Sequence, residues 1–64
     1  YDEAITDCNW SVLLRPERVA PYLMRARAYT QTGILNRACR DWESAASLGS
    51  NEAERLLQTN CRVN

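Results

Sequence analysis

Two stretches of the chain match at an offset of 34 residues: Ala4, Asp7 and Leu14 are answered by Ala38, Asp41 and Leu48. A period of this length, with small and large apolar residues in phase, marks an array of helical hairpins. Such hairpins bury their apolar faces by stacking on one another, and the stacked surface commonly receives another protein.

A chain of 64 residues makes one small domain with a thin core. Its 8 basic and 8 acidic residues cancel, which removes the electrostatic case for nucleic acid or an anionic membrane as partner. No apolar run approaches the length of a membrane span. All 8 basic residues are Arg, which tolerates partial burial and forks onto carboxylates better than Lys does. His is absent, so the segment has neither His-based acid–base catalysis nor His metal ligation. The chain opens on Tyr1-Asp2-Glu3-Ala4 as though already inside a helix, as expected of a segment cut from a longer protein.

The apolar spacing predicts four helices, at about 1–14, 20–32, 35–48 and 51–61. The first puts Ala4, Ile5, Cys8, Ser11 and Val12 on one face, with Asp2 and Glu3 in the opening turn. Pro16 stops it. The second carries Tyr22, Arg25, Ala26 and Tyr29 inward, holds Pro21 in its first turn, and leaves through Gly33. The third buries Ala38, Cys39, Trp42, Ala45 and Leu48 and stops at Gly49. The fourth starts at Ser50 or Asn51, where Asn51 and Glu54 have capping-box spacing, and shows a weak face of Leu56, Leu57 and Cys61. Gln58, Thr59, Asn60 and Arg62 make its remainder polar. Connections this short favour antiparallel neighbours, and no segment alternates as a strand would. The expected fold class is all-α, built of antiparallel helical hairpins.

The cysteines divide into two groups. Cys39 and Cys61 lie eleven residues either side of Ser50, so an antiparallel hairpin sets them side by side. Either they form a disulfide pinning the last helix, or they are two buried thiols in a reducing compartment. The cytoplasm is the expected setting, and a secreted or periplasmic one if the bond forms. Cys8 occupies a large apolar position and reads as an inert core residue. No metal site is expected, because no Cys pair has close ligand spacing.

At this point the chain resembles the tetratricopeptide-repeat family. Tyr1-Asp2-Glu3-Ala4-Ile5 followed by Leu14-Arg15-Pro16 is similar to the second helix of a repeat with its closing Pro. Tyr22, Ala26, Tyr29, Gly33, Ala38, Trp42, Ala45 and Leu48 follow the pattern of the next, complete repeat. Ser50 stands where the family usually has its closing Pro, a departure expected where a capping helix follows. The resemblance thus implies a single domain over 1–64: a partial repeat and linker at 1–18, a full repeat at 19–50 and a capping helix at 51–64.

Three expectations follow from the resemblance. The first is a protein–protein interaction scaffold whose concave face binds a peptide or partner helix. Its groove residues would be Ala20, Leu23, Arg27, Thr30 and Gln31, extended by Glu54 and Gln58 of the cap. Arg27 is the expected specific contact, to a carboxylate. The second is an ion pair of Arg25 with Asp7 or Asp41, since a subset of the family has Arg before a small residue in this helix. A partly buried pair of that kind fixes the register of neighbouring helices. The third concerns the subclass that clamps chaperone tails, which needs Lys and Arg in slots held here by Ala20 and Met24. Chaperone-tail binding by this repeat is therefore not expected.

No nucleophile elbow, phosphate loop or metalloprotease motif is present, and Asp41 and Glu43 fall on different helix faces. Neither catalysis nor a cofactor is expected. The alternative to the scaffold is an architectural one: a C-terminal cap or self-associating unit of a longer solenoid. Tyr1, Ile5, Val12 and Leu13 would then form an exposed strip on the first helix that invites a homodimer.

Overall fold

The computed structural model describes residues 2–61, less the side chains of Asp2 and Ala4. The placements expected for Tyr1, Asp2, Ala4 and Arg62 lie outside the described residues. The chain forms four helices: α1 (Asp2–Leu14), α2 (Val19–Gln31), α3 (Leu35–Ser47) and α4 (Asn51–Asn60). Each packs on the next in chain order, and no strand occurs among the described residues. The connections are three or four residues long, which keeps successive helices antiparallel.

The helix ends have local causes. Pro16 follows α1, and the Arg15 N–H closes back on the Ser11 carbonyl at 2.9 Å. Pro21 is the third residue of α2, where its missing N–H would have had no intrahelical acceptor. At the end of α2, Gly33 takes φ 82°. The Ile34 N–H then reaches the Tyr29 carbonyl at 2.8 Å, while that of Gly33 reaches Thr30 at 3.2 Å. This is the paired closure of a Schellman motif. It recurs after α3, where Gly49 has φ 102°, Ser50 donates to Ala45 at 3.1 Å and Gly49 to Ala46 at 2.9 Å. The two hairpin turns are thus the same device, and both need a residue that accepts positive φ.

Ser50 then caps α4. Its hydroxyl oxygen accepts from the Ala53 N–H at 3.1 Å, so the cap is Ser50 and not the expected Asn51.

The helices assemble into a slab 33 × 25 × 13 Å, too thin to hide many large side chains. Four alanines meet that constraint: Ala26, Ala38, Ala45 and Ala53 have no exposed surface. Side chains this small let α2, α3 and α4 approach closely, and Tyr29, Trp42 and Leu57 fill the flanks. Two expected inward residues are corrected here. Ser11 is exposed, and Leu48 is 41 % exposed because it is the residue that caps α3 rather than part of its inner stripe. Leu14 ends α1 in the same way and is 71 % exposed, so the third identity of the repeat is a helix-end position.

Cys39 of α3 and Cys61 at the end of α4 are disulfide-bonded, with Cα atoms 6.0 Å apart. The bond closes a loop over a sequence separation of 22 and holds the free end of a helix only 10 residues long. Replacing both cysteines by Ala is expected to cost about 3 kcal/mol from loop entropy. Urea unfolding followed by circular dichroism measures it.

Candidate interaction groove

An apolar groove with unengaged charge on both walls runs between α2 and α4. Leu23, Arg27, Thr30 and Gln31 of α2 form one wall with Met24, while Glu52, Leu56 and Asn60 of α4 form the other. Trp42 of α3 lies at its base, nearly buried. Helical period explains both walls. Leu23, Arg27, Thr30 and Gln31 recur at spacings of three and four, and Glu52, Leu56 and Asn60 are successive turns of one face.

The polar groups of the groove are not equivalent. Thr30 donates its hydroxyl to the Ala26 carbonyl at 2.6 Å, and Asn60 donates its amide to Leu56 at 3.0 Å, so both donors are partly committed. Arg27, Gln31 and Glu52 bond to no described residue. The groove therefore offers an apolar floor, a free guanidinium on one wall and a free carboxylate on the other.

Three residues expected in the groove lie elsewhere. Ala20 lines a separate groove between α1 and α2. Glu54 faces the opposite side of α4, beside Glu43, Ala46, Ser47 and Leu57. Gln58 is exposed one turn beyond Glu54 and lines neither wall. Buried Ala53 and Leu57 set the rotation of α4, and that rotation turns Glu52, Leu56 and Asn60 toward α2 instead. Sequence reasoning missed these three; the Ala53–Leu57 pair was the signal that could have found them.

Behind the groove lies the polar node that positions α2. The Arg25 guanidinium meets Asp41 through two bonds, Nε to Oδ2 at 2.9 Å and Nη2 to Oδ1 at 2.5 Å. Its remaining nitrogen, Nη1, donates to Asn9 Oδ1 at 2.6 Å. Asp41 is buried at 4 % exposure, and the guanidinium also lies 5.9 Å from the centre of the Tyr22 ring. The hydrogen bond to Asp41, opposed by burial, holds the Arg25 pKa above its ordinary value. Of the two expected partners, Asp41 is the one in contact. Asp7 is exposed on α1 and stands outside the node, and Asn9 takes the third position. The sequence carries no pattern that marks Asn9.

Cys8 is a free thiol at 6 % exposure, its pKa raised chiefly by burial. Among the described residues no cluster of three His, Cys, Asp or Glu could hold a metal ion, and no helix is long and apolar enough to cross a membrane. No protein-family model matches the chain, and no curated protein or solved structure matches it either.

Two outcomes are expected. Asp41→Asn strands a half-buried cation and costs about 1–3 kcal/mol in urea unfolding, whereas Asp7→Asn changes stability by less than about 0.5 kcal/mol. For Cys8, a pKa raised in the fold means that only the unfolded chain ionises as pH passes upward through the ordinary thiol pKa. Stability from this group is therefore complete below that pH and is lost above it. Cys8→Ala is expected to reduce the alkaline fall in melting temperature, and an unchanged fall contradicts the assignment.

Proposed function

We propose that this chain is a protein-interaction module of the tetratricopeptide-repeat type, holding a partner peptide or helix in the groove between α2 and α4. The observation that carries the reading is the groove itself. Leu23, Leu56 and Trp42 make an apolar strip, flanked by an Arg27 and a Glu52 that bond to no described residue. An apolar strip with opposite free charges on its two sides favours a ligand with an apolar anchor and a defined direction. The Cys39–Cys61 bond fits an oxidising compartment, secreted or periplasmic, better than the cytoplasm.

A second reading has its own observation. Of the strip expected on α1, Ile5 packs against the core and Val12 is half-buried, whereas Trp10, Leu13 and Leu14 are 62 %, 76 % and 71 % exposed. That strip suits an architectural or self-associating unit.

Selection of displayed random peptides on the chain, followed by calorimetry, tests the first reading. Peptides with an apolar anchor beside an acidic residue are expected. Leu23→Asp should weaken them by more than about tenfold, and Arg27→Glu by about fivefold, rescued by a basic residue in the peptide. If no peptide is selected, and the mass in solution instead rises with concentration, the second reading replaces the first.

A further inference from the structure

A polar pocket of about 610 Å³, lined by α1, α2 and α3, shares no residue with the α2–α4 groove. Arg25 and Tyr29 reach it from the face of α2 opposite Arg27 and Gln31. The one carboxylate among its lining residues, Asp41, is spent, because Arg25 holds both of its oxygens. The donors are not spent. A guanidinium has no acceptor, so Asn9 meets Arg25 through its oxygen, and its amide N–H groups have no described partner. Arg37 and Arg40 of α3 also line the pocket and bond to no described residue. Arg37 is four residues from Asp41, the spacing of a helical ion pair, but Arg25 has taken that place. The carboxylates of Glu43 and Asp7 line other grooves. Two like charges three residues apart on one helix repel, and Arg37 lies in the first turn of α3, where the helix dipole opposes a cation.

Tyr29 marks the same pocket independently. It is only 9 % exposed, yet its hydroxyl bonds to no described residue. That oxygen interacts electrostatically with the Arg25 guanidinium, which sets it on the pocket side of α2. No described side chain has a polar atom sealed away without a partner, so the Tyr29 hydroxyl opens onto the pocket that the residue lines.

We infer that this pocket binds a phosphate monoester, whose oxygens accept from the Arg37 and Arg40 guanidiniums, the Asn9 amide and the Tyr29 hydroxyl. Charge selects the group. A phosphate ester carries nearly two negative charges at neutral pH and three strong acceptor oxygens, which matches two unpaired cations where a carboxylate leaves one unmatched. The pocket is larger than a lone oxyanion, so the organic part of the ester also lies within it.

Calorimetry and NMR at constant ionic strength test the site, with glycerol 2-phosphate, a capped phosphoserine tripeptide, inorganic phosphate and acetate as probes. At least one ester should bind more than about fivefold more tightly than inorganic phosphate, with acetate weakest. The tighter ester distinguishes a free small molecule from a phosphorylated chain. Side-chain signals of Asn9, Arg37 and Arg40 should shift on binding. Arg37→Gln and Arg40→Gln, both at exposed positions, should each weaken that ester about tenfold, and Tyr29→Phe, which keeps the ring, about fivefold. Arg55→Gln, on α4 and outside the pocket, should change nothing. Esters that bind no more tightly than inorganic phosphate overturn the inference. So does an equal loss in Arg55→Gln and Arg37→Gln, or full affinity in a folded Tyr29→Phe chain.

Discussion

One guanidinium joins three of the four helices. Arg25 leaves α2, grips both oxygens of Asp41 on α3, and places its last nitrogen on Asn9 of α1. A half-buried guanidinium set against a buried carboxylate is tolerated only when its hydrogen-bonding capacity is met, and all three nitrogens have acceptors. No buried side-chain polar atom among the described residues lacks a partner. Four of the seven residues in the buried core are alanines, whose small side chains do not by themselves select one helix register. The bidentate pair admits one. It therefore sets how α2 lies on α3, and through that how Leu23 and Arg27 face α4.

The other wall of the groove depends on a covalent constraint. The helix α4 is short, and its buried anchors are Ala53 and Leu57 near its start and middle. The Cys39–Cys61 bond fixes its end, next to Asn60. A polar node on one side and a disulfide on the other thus frame a surface that alanine packing alone would leave loosely specified. Both devices are specific in geometry, which is what a small core lacks.

Much of this was legible in the residues because it rests on local chemistry. Pro16, Gly33 and Gly49 mark the helix ends to within a residue or two of their observed places, since each enforces a backbone state with few substitutes. The all-helical class follows from spacing in the same way. What was not legible depends on how helices rotate against one another. Glu54 and Gln58 have the right character for the groove, but the burial of Ala53 and Leu57 turns them away. Asn9 is one polar residue among several on α1, and only its reach to Arg25 distinguishes it. Asp7 and Asp41 are equivalent in the repeat; the difference between them is that α2 covers one and not the other.

The most direct measurement of the claim that the Arg25–Asp41 pair sets the helix register is a double-mutant cycle in urea, using Arg25→Met, Asp41→Leu and the combination. Each single change should be clearly destabilising, because it leaves its partner buried without a counter-charge. The combination should cost less than the sum by more than about 1 kcal/mol, while the backbone shifts of Leu23, Arg27 and Leu56 depart from those of the natural chain. Additive losses with unchanged groove shifts would contradict the account, placing the register in the alanine packing instead.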